Sequence, residues 1–322
     1  MEGIKITKSP RLKKPYLVVA WPGMGEVAFK AASYLVEKLN AQEFASIQPE
    51  GFFYLSGSVV KKGLLSTSEL PESKFYFWKN KEGKNDLIIF LSNAQPDLAR
   101  AESYSKIIIQ VAKSFKADKV ISFASMPQTI DHTQNSGIWF AATSEELSNN
   151  LKKLKLNSLN DGQISGMNGL FLGIAKREGL SGLCLLGEIP LYTIQIENPK
   201  ASAAVLNALA MITGIKIDLS GLDTQAHTME EEINKLLDYL KLGGASAGPI
   251  GEDDIEKIKK SLNQLTKLPV SVKDRIEQFF TQAKTDISKA RELKVELDKW
   301  NVYKEYEDRF LDLFKKTGGK NN

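Results

Sequence analysis

Tyr16-Leu-Val-Val-Ala-Trp-Pro-Gly-Met-Gly25 decides how this chain is read. Residues 16–21 form an unbroken apolar run with two valines, which suits a strand buried on both faces. Pro22 ends the run, because its nitrogen has no hydrogen for a sheet ladder. Gly23 and Gly25 then allow tight turning and close backbone approach. Val27, Ala28, Ala31, Ala32, Leu35, Val36 and Leu39 recur every three or four residues, so a helix follows. Ligands and partners of open α/β sheets sit at the carboxyl ends of strands, which makes Trp21, Pro22, Gly23, Met24 and Gly25 a candidate site. The spacing is not that of a phosphate loop. A G-x-G-x-x-G pattern read from Gly23 meets Ala28 at its third glycine, and neither Glu43 nor Glu50 ends a convincing strand.

Working outward, the same pattern recurs. Apolar runs at 87–91, 119–124 and 183–186 predict three more buried strands. Phe75–Trp78 and Thr193–Ile196 read as short strands, and Gly51–Val60 as a strand with a bend near Gly57. Helical periodicity fills 98–115, Pro199–Thr213 (closed by Gly214) and Leu222–Leu242. Thr143 or Ser144 precedes Glu145 and Glu146 in the manner of a helix cap. Alternating strands and helices indicate an α/β fold with a mostly parallel sheet. The first fourteen residues, with Lys5, Lys8, Arg11, Lys13 and Lys14, read as a solvated basic tail.

A second glycine-rich stretch, Gly162-Gln-Ile-Ser-Gly-Met-Asn-Gly169, opens a helix. Two readings of it stand. Its backbone N–H groups, with Ser165, Gly166, Asn168 and Gly169, could form an anion-ready concavity. Alternatively, the glycines let the helix touch the sheet. Catalytic signals are weak. Ser165 fails the G-x-S-x-G pattern because Gln163 and Met167 stand where glycines belong. His132 and His227 have no partner visible in sequence. Glu188, at a strand end, could act as a general base, or could cap a turn and accept backbone N–H groups.

The totals narrow the field. The chain has 322 residues, 42% hydrophobic and 25% charged, with a formal net charge of +4, which demands no nucleic acid. Cys184 is the sole cysteine, so neither an intramolecular disulfide nor a cysteine zinc site is possible. No apolar stretch approaches a membrane span and no signal peptide is apparent, so a cytoplasmic protein is expected. Residues 1–242 read as one α/β domain, 243–250 as a Gly/Ala/Ser linker, and 251–322 as a helical, coiled-coil-like extension. In that extension Trp300, Tyr303, Tyr306 and Phe310 make an aromatic face that needs a surface, either the body or another subunit.

Four pieces in order resemble the proteasome-assembly-chaperone-2 family. They are Trp21-Pro-Gly-Met-Gly25, Ile164-Ser-Gly-Met-Asn-Gly169, Leu186-Gly-Glu-Ile-Pro190 and Asn198-Pro-Lys-Ala-Ser-Ala203, spanning about residues 10–242. The resemblance implies a three-layer α/β/α sandwich similar to purine nucleoside phosphorylase. It also implies a non-enzymatic homo-oligomer that acts as an assembly chaperone or scaffold for proteasome-like or other protein subunits. No cofactor, metal, nucleic acid or membrane is expected. Relatives can dock through a hydrophobic–Tyr–any-residue tail, whereas this chain ends Lys320-Asn-Asn322, so docking by that route is not expected. The competing reading is an enzyme that binds a nucleotide or phosphate at the glycine turns.

Overall fold

The computed structural model describes residues 3–55, 57–83, 85–117, 119–241, 270–299 and 302–315. The chain divides into two compact units, Met1–Glu230 and Glu231–Asn322. The sequence-derived linker at 243–250, residues 251–269 of the expected helical extension and Trp300 lie outside the described residues.

The first unit is built on a nine-stranded mixed sheet. Its centre is the four strands expected from apolar runs: β2 (Tyr16–Ala20), β7 (Leu87–Ser92), β8 (Lys119–Gln128) and β11 (Ser181–Pro190). They run parallel in the order β7-β2-β8-β11. Parallel strands covered on both faces require continuous apolar sequence, and these have it. Antiparallel additions flank this centre. On one side come β6 (Ser73–Trp78), β3 (Gln42–Ile47) and β1 (Ile4–Ile6). On the other, β9 (Ile138–Ala142) runs antiparallel to β11, with the short β10 (Asn157–Ser158) beside it. The sheet is therefore mixed rather than mostly parallel. Ile4–Ile6, expected as part of a solvated tail, instead supplies an edge strand.

Helices cover both faces. On one side α1 (Val27–Lys38) lies against α5 (Pro199–Thr213), where the Ser202 hydroxyl donates to the Val27 carbonyl at 3.2 Å. On the other side α2 (Ala101–Ser114) lies against α4 (Met167–Arg177). The short α3 (Glu145–Lys153) packs near β9 and starts at Ser144, whose hydroxyl accepts from Leu147 N–H. Alternation along β2 sends Leu17 and Val19 into the α2/α4 layer and leaves Val18 and Ala20 for the opposite one. Phe44, Phe75, Phe90, Trp21 and Tyr104 form a chain of tilted and edge-on rings in the α2/α4 layer. A buried hydroxyl relay lies among them, with Ser73 Oγ 2.5 Å from Tyr104 Oη and 3.1 Å from Ser92 Oγ. Burial pushes the Tyr104 phenol up, and the hydrogen bond with Ser73 partly offsets this.

One expected strand is only partly formed and another is absent. Residues 51–55 form turns and one bridge, and Thr193–Ile196 is turn and bend that continues from the 3-10 turn Leu191–Thr193. Pairing begins only at β4 (Ser58–Lys61), which forms a separate two-stranded hairpin with β5 (Leu64–Thr67). The helix α6 (Ser220–Lys241) follows α5, and its early residues Leu222 and Ala226 are buried.

In the second unit the helices Val270–Thr285, Ala290–Lys299 and Tyr303–Lys315 each touch the other two. No coiled coil is evident among the described residues of this unit. Ile276, Phe280, Leu293, Leu297, Phe310 and Leu313 are buried, and Tyr303 and Tyr306 of the expected aromatic face are half-buried. Arg309 grips Glu277 with two hydrogen bonds of 2.8 Å and lies 4.4 Å from the Phe280 ring centre.

Two outcomes test this packing. Phe90→Ala, at the centre of the ring cluster, should lower unfolding free energy by about 3–5 kcal/mol in a urea titration. Cys184 is fully buried and its thiol is pushed up to about 12, chiefly by burial. A disulfide thiol reagent at pH 8 should therefore leave it unmodified in the native protein and modify it once urea unfolds the chain.

Candidate functional site

β2 delivers Trp21 just beyond its last ladder residue, which leaves the Trp21 backbone without a strand partner. Asn168, the second residue of α4, supplies one. Trp21 N–H donates to Asn168 Oδ1 at 3.0 Å, and Asn168 Nδ2 donates to the Trp21 carbonyl at 3.0 Å. A carboxamide can do this because it carries both a donor and an acceptor. Trp21 is fully buried and Asn168 is 5% exposed, so the pair of bonds is shielded from water. The indole packs 5.3 Å from the Phe90 ring and 5.5 Å from the Phe171 ring.

Gln95 makes a second tie. Its Nε2 donates to the Pro22 carbonyl at 2.8 Å, and its Oε1 accepts from Met167 N–H, the first amide of α4, at 3.2 Å. Gln95 arrives here because it lies just past the end of β7, whose carboxyl end shares the same edge as that of β2.

The turn is also fastened on its other side. Gly25 and Glu26 both adopt left-handed backbone, with φ of 63° and 49°. Gly25 N–H donates to the Ile194 carbonyl at 2.7 Å, and its carbonyl accepts from Asn198 N–H at 2.8 Å. A Cβ at Gly25 would stand 3.1 Å from Ile189 Cδ1, so glycine suits this position both in conformation and in space. The Asn198 side chain caps α5 by accepting from Ala201 N–H at 3.0 Å. Beside the turn, burial pushes the Glu26 carboxyl up, and the neighbouring Glu197 adds to the effect. Lys30 pairs with Glu197 at 3.0 Å.

The structure thus brings together Trp21, Pro22, Gly23, Met24 and Gly25 with Gly166 and Asn168. Ser165 and Gly169 flank that helix start. Gly23 is exposed, and Pro22, Met24, Ser165, Gly166 and Gly169 are half-buried. Glu188 is bonded elsewhere. Its carboxylate accepts from Trp139 Nε1 at 2.6 Å and from Gly137 N–H at 3.1 Å, and so pins the start of β9. His132 is buried, with its N–H and its ring Nδ1 2.8 and 2.9 Å from the Tyr192 hydroxyl. Among the described residues no group of three or more His, Cys, Asp or Glu is placed to hold a metal ion. Among them, too, no helix is long and apolar enough to cross a membrane. Gln95 and Asn198 are the residues that local reading did not assign to the site. Asn198 before Pro199 has the look of a helix cap, but nothing in the sequence shows that its N–H reaches Gly25.

Chemically, the side-chain amides of this edge are spent on its own backbone. Asn168 and Gln95 spend their amides on Trp21, Pro22 and Met167, and the first helix amide is already taken. Gly23 and Gln95 are exposed here, and Pro22, Met24, Ser165, Gly166 and Gly169 reach the surface in part.

The model of the PAC2 family matches residues 17–237, which hold this whole site. The chain belongs to the PAC2 family. An uncharacterised protein of Methanocaldococcus jannaschii is 28% identical over 259 residues, 79% of this chain and 96% of that one. The crystal structure of Pyrococcus furiosus PbaB, an archaeal proteasome activator, is 27% identical with a TM-score of 0.62, over 72% of this chain and 97% of that one. That of P. furiosus PbaA, an archaeal homolog of proteasome-assembly chaperone, is 26% identical with a TM-score of 0.56, over 72% and 96%.

The Asn168 clasp has a measurable worth. Asn168→Ala strands two buried backbone groups and should cost about 2–5 kcal/mol in urea unfolding. Asn168→Asp keeps the acceptor for Trp21 N–H but sets an oxygen against the Trp21 carbonyl unless it is protonated. Its folded-state acid is thereby pushed up, so its deficit relative to the parent should shrink at pH 5 and grow at pH 8.

Proposed function

We propose that this PAC2 family member is a non-enzymatic, self-assembling scaffold or assembly chaperone that engages folded protein subunits, with proteasome core subunits as the first class to test. The observation that carries this reading is the likeness to PbaB, which extends over 97% of that activator's chain. The chemistry of the edge supports it. The Asn168 and Gln95 carboxamides and the first amide of α4 are engaged within the protein, and the Glu188 carboxylate serves β9. We further propose that the three-layer arrangement is of the purine nucleoside phosphorylase kind, used here as a frame for protein contacts. In this reading the glycine turn acts through its shape. Trp21, Gly25, Gly166, Asn168 and Gly169 hold the rim, and Pro22, Gly23, Met24 and Ser165 face the partner. Glu188 contributes by fixing β9 beside that rim.

Purified archaeal proteasome core subunits, mixed with the full chain, should co-elute with it in size-exclusion chromatography. Met24→Asp should weaken that complex at least tenfold in Kd while leaving the unfolding midpoint within a degree of the parent. The reading fails if no complex forms and if a nucleoside, inorganic phosphate or ATP instead raises the melting temperature in a saturable way, since only a ligand of the native state stabilises it.

A further inference from the structure

The β4–β5 hairpin stands apart from the main sheet as a two-stranded sheet of its own. Its loop residues Lys62 and Gly63 both have positive φ, 51° and 80°, the conformation of a tight hairpin turn matched to strand twist. Cross-strand partners are Val60 with Leu65 and Lys61 with Leu64. Partners across a ladder share a face and neighbours along a strand alternate. The hairpin therefore shows Val60 and Leu65 on one face, and Val59 and Leu64 on the other. Leu64 is 76% exposed, Leu65 75% and Val60 62%. An isolated two-stranded hairpin is marginal in water, and a face this apolar marks a contact surface. Among the described residues both edges are also unpaired. A two-residue loop makes Lys61 and Leu64 the bonded pair that closes it, so the backbone groups of Val60 and Leu65 point outward from the ribbon.

We infer that this hairpin is a self-association element, and that its occupant is the same hairpin of a second copy of this chain. Two features single out that occupant. First, the charge pattern is self-complementary. The tip carries the exposed Lys62, and the chain leaving the base carries the exposed Glu69. Two hairpins docked head to tail about a two-fold axis set each basic tip against the other's acidic base, the geometry an isologous contact requires. Second, the apolar surface is concentrated here: Tyr54, leading into the hairpin, is 65% exposed, so that with Val60, Leu64 and Leu65 it adds to one apolar patch that a second copy would cover. The inference rests on the self-assembly part of the proposed function and names the surface that performs it.

Mass in solution by light scattering, on the full chain, tests it. The parent should be oligomeric, and a Val60→Asp/Leu65→Asp double variant should fall to a smaller species with an unchanged melting temperature. Cys184 is fully buried, so Leu65→Cys adds the only accessible thiol. A short bis-maleimide should then give a covalent dimer with Leu65→Cys and none with Lys81→Cys, an exposed site off the hairpin. If the parent is oligomeric while the double variant keeps its mass and Leu65→Cys stays uncrosslinked, the hairpin inference is overturned and self-assembly stands. If the parent is itself a monomer at micromolar concentration, self-assembly fails and the inference falls with it. Capture of proteasome subunits is a separate readout, so these failures are distinguishable from failure of the partner reading.

Discussion

A residue that leaves a buried strand must satisfy its backbone groups away from the ladder, and in this protein that constraint falls on Trp21. Its amide and carbonyl lie in a region from which water is excluded, where an unpaired polar group is costly. The carboxamide of Asn168 meets both, and in doing so ties the end of β2 to the start of α4. The surrounding order builds on that tie. The Trp21 indole can settle among Phe90, Phe171 and Tyr104, and Gln95 can bridge Pro22 to Met167. The glycine turn can then close onto Ile194 and Asn198. Loss of the tie releases a strand end, a helix start and a turn together.

The same bonds shape what the edge can do. A side chain spent within the protein cannot also hold a ligand. Here one carboxamide points inward to the Trp21 backbone, and another is shared between a carbonyl and the first helix amide. Such an edge is stiff and shape-defined, properties that suit recognition of another protein surface. The main sheet is closed to the same kind of use at its centre, where every strand is paired on both sides. Its additions at either flank are antiparallel and short, which limits edge-to-edge pairing. The separate β4–β5 hairpin departs from that economy, with apolar side chains on both faces and open edges.

The helices beyond residue 270 follow a different logic. They are amphipathic and short, each too marginal to stand alone. Phe280 and Tyr306 approach to 5.8 Å, Tyr303 and Phe310 to 5.5 Å, and the Arg309 fork spans two helices to reach Glu277. That hydrogen bonding holds the Glu277 carboxyl below its usual range. Both side chains of the pair are about half exposed, so packing of the apolar face supplies most of the cohesion.

By itself the sequence determined the four parallel strands at the centre of the sheet, because a strand covered on both faces leaves an uninterrupted apolar run. It determined the helix α5 from Pro199 to Gly214, through its cap and its stop, and it marked both glycine turns as joints. Edge and hairpin structure was harder to read. Ile4–Ile6 is too short for a period to show, and the aromatic richness of 51–55 reflects side chains that pack from turns, not from a strand. Whether the second glycine stretch was a cradle or a close-packed helix start could not be read locally, since the bonds that answer it join residues 147 positions apart. Only the tertiary structure could decide where the amides of Asn168 and Gln95 are spent and which carboxylates serve the frame. Hydrogen-bond partners across a sheet edge are chosen by the packing of whole elements, and no local pattern of residue types records that choice.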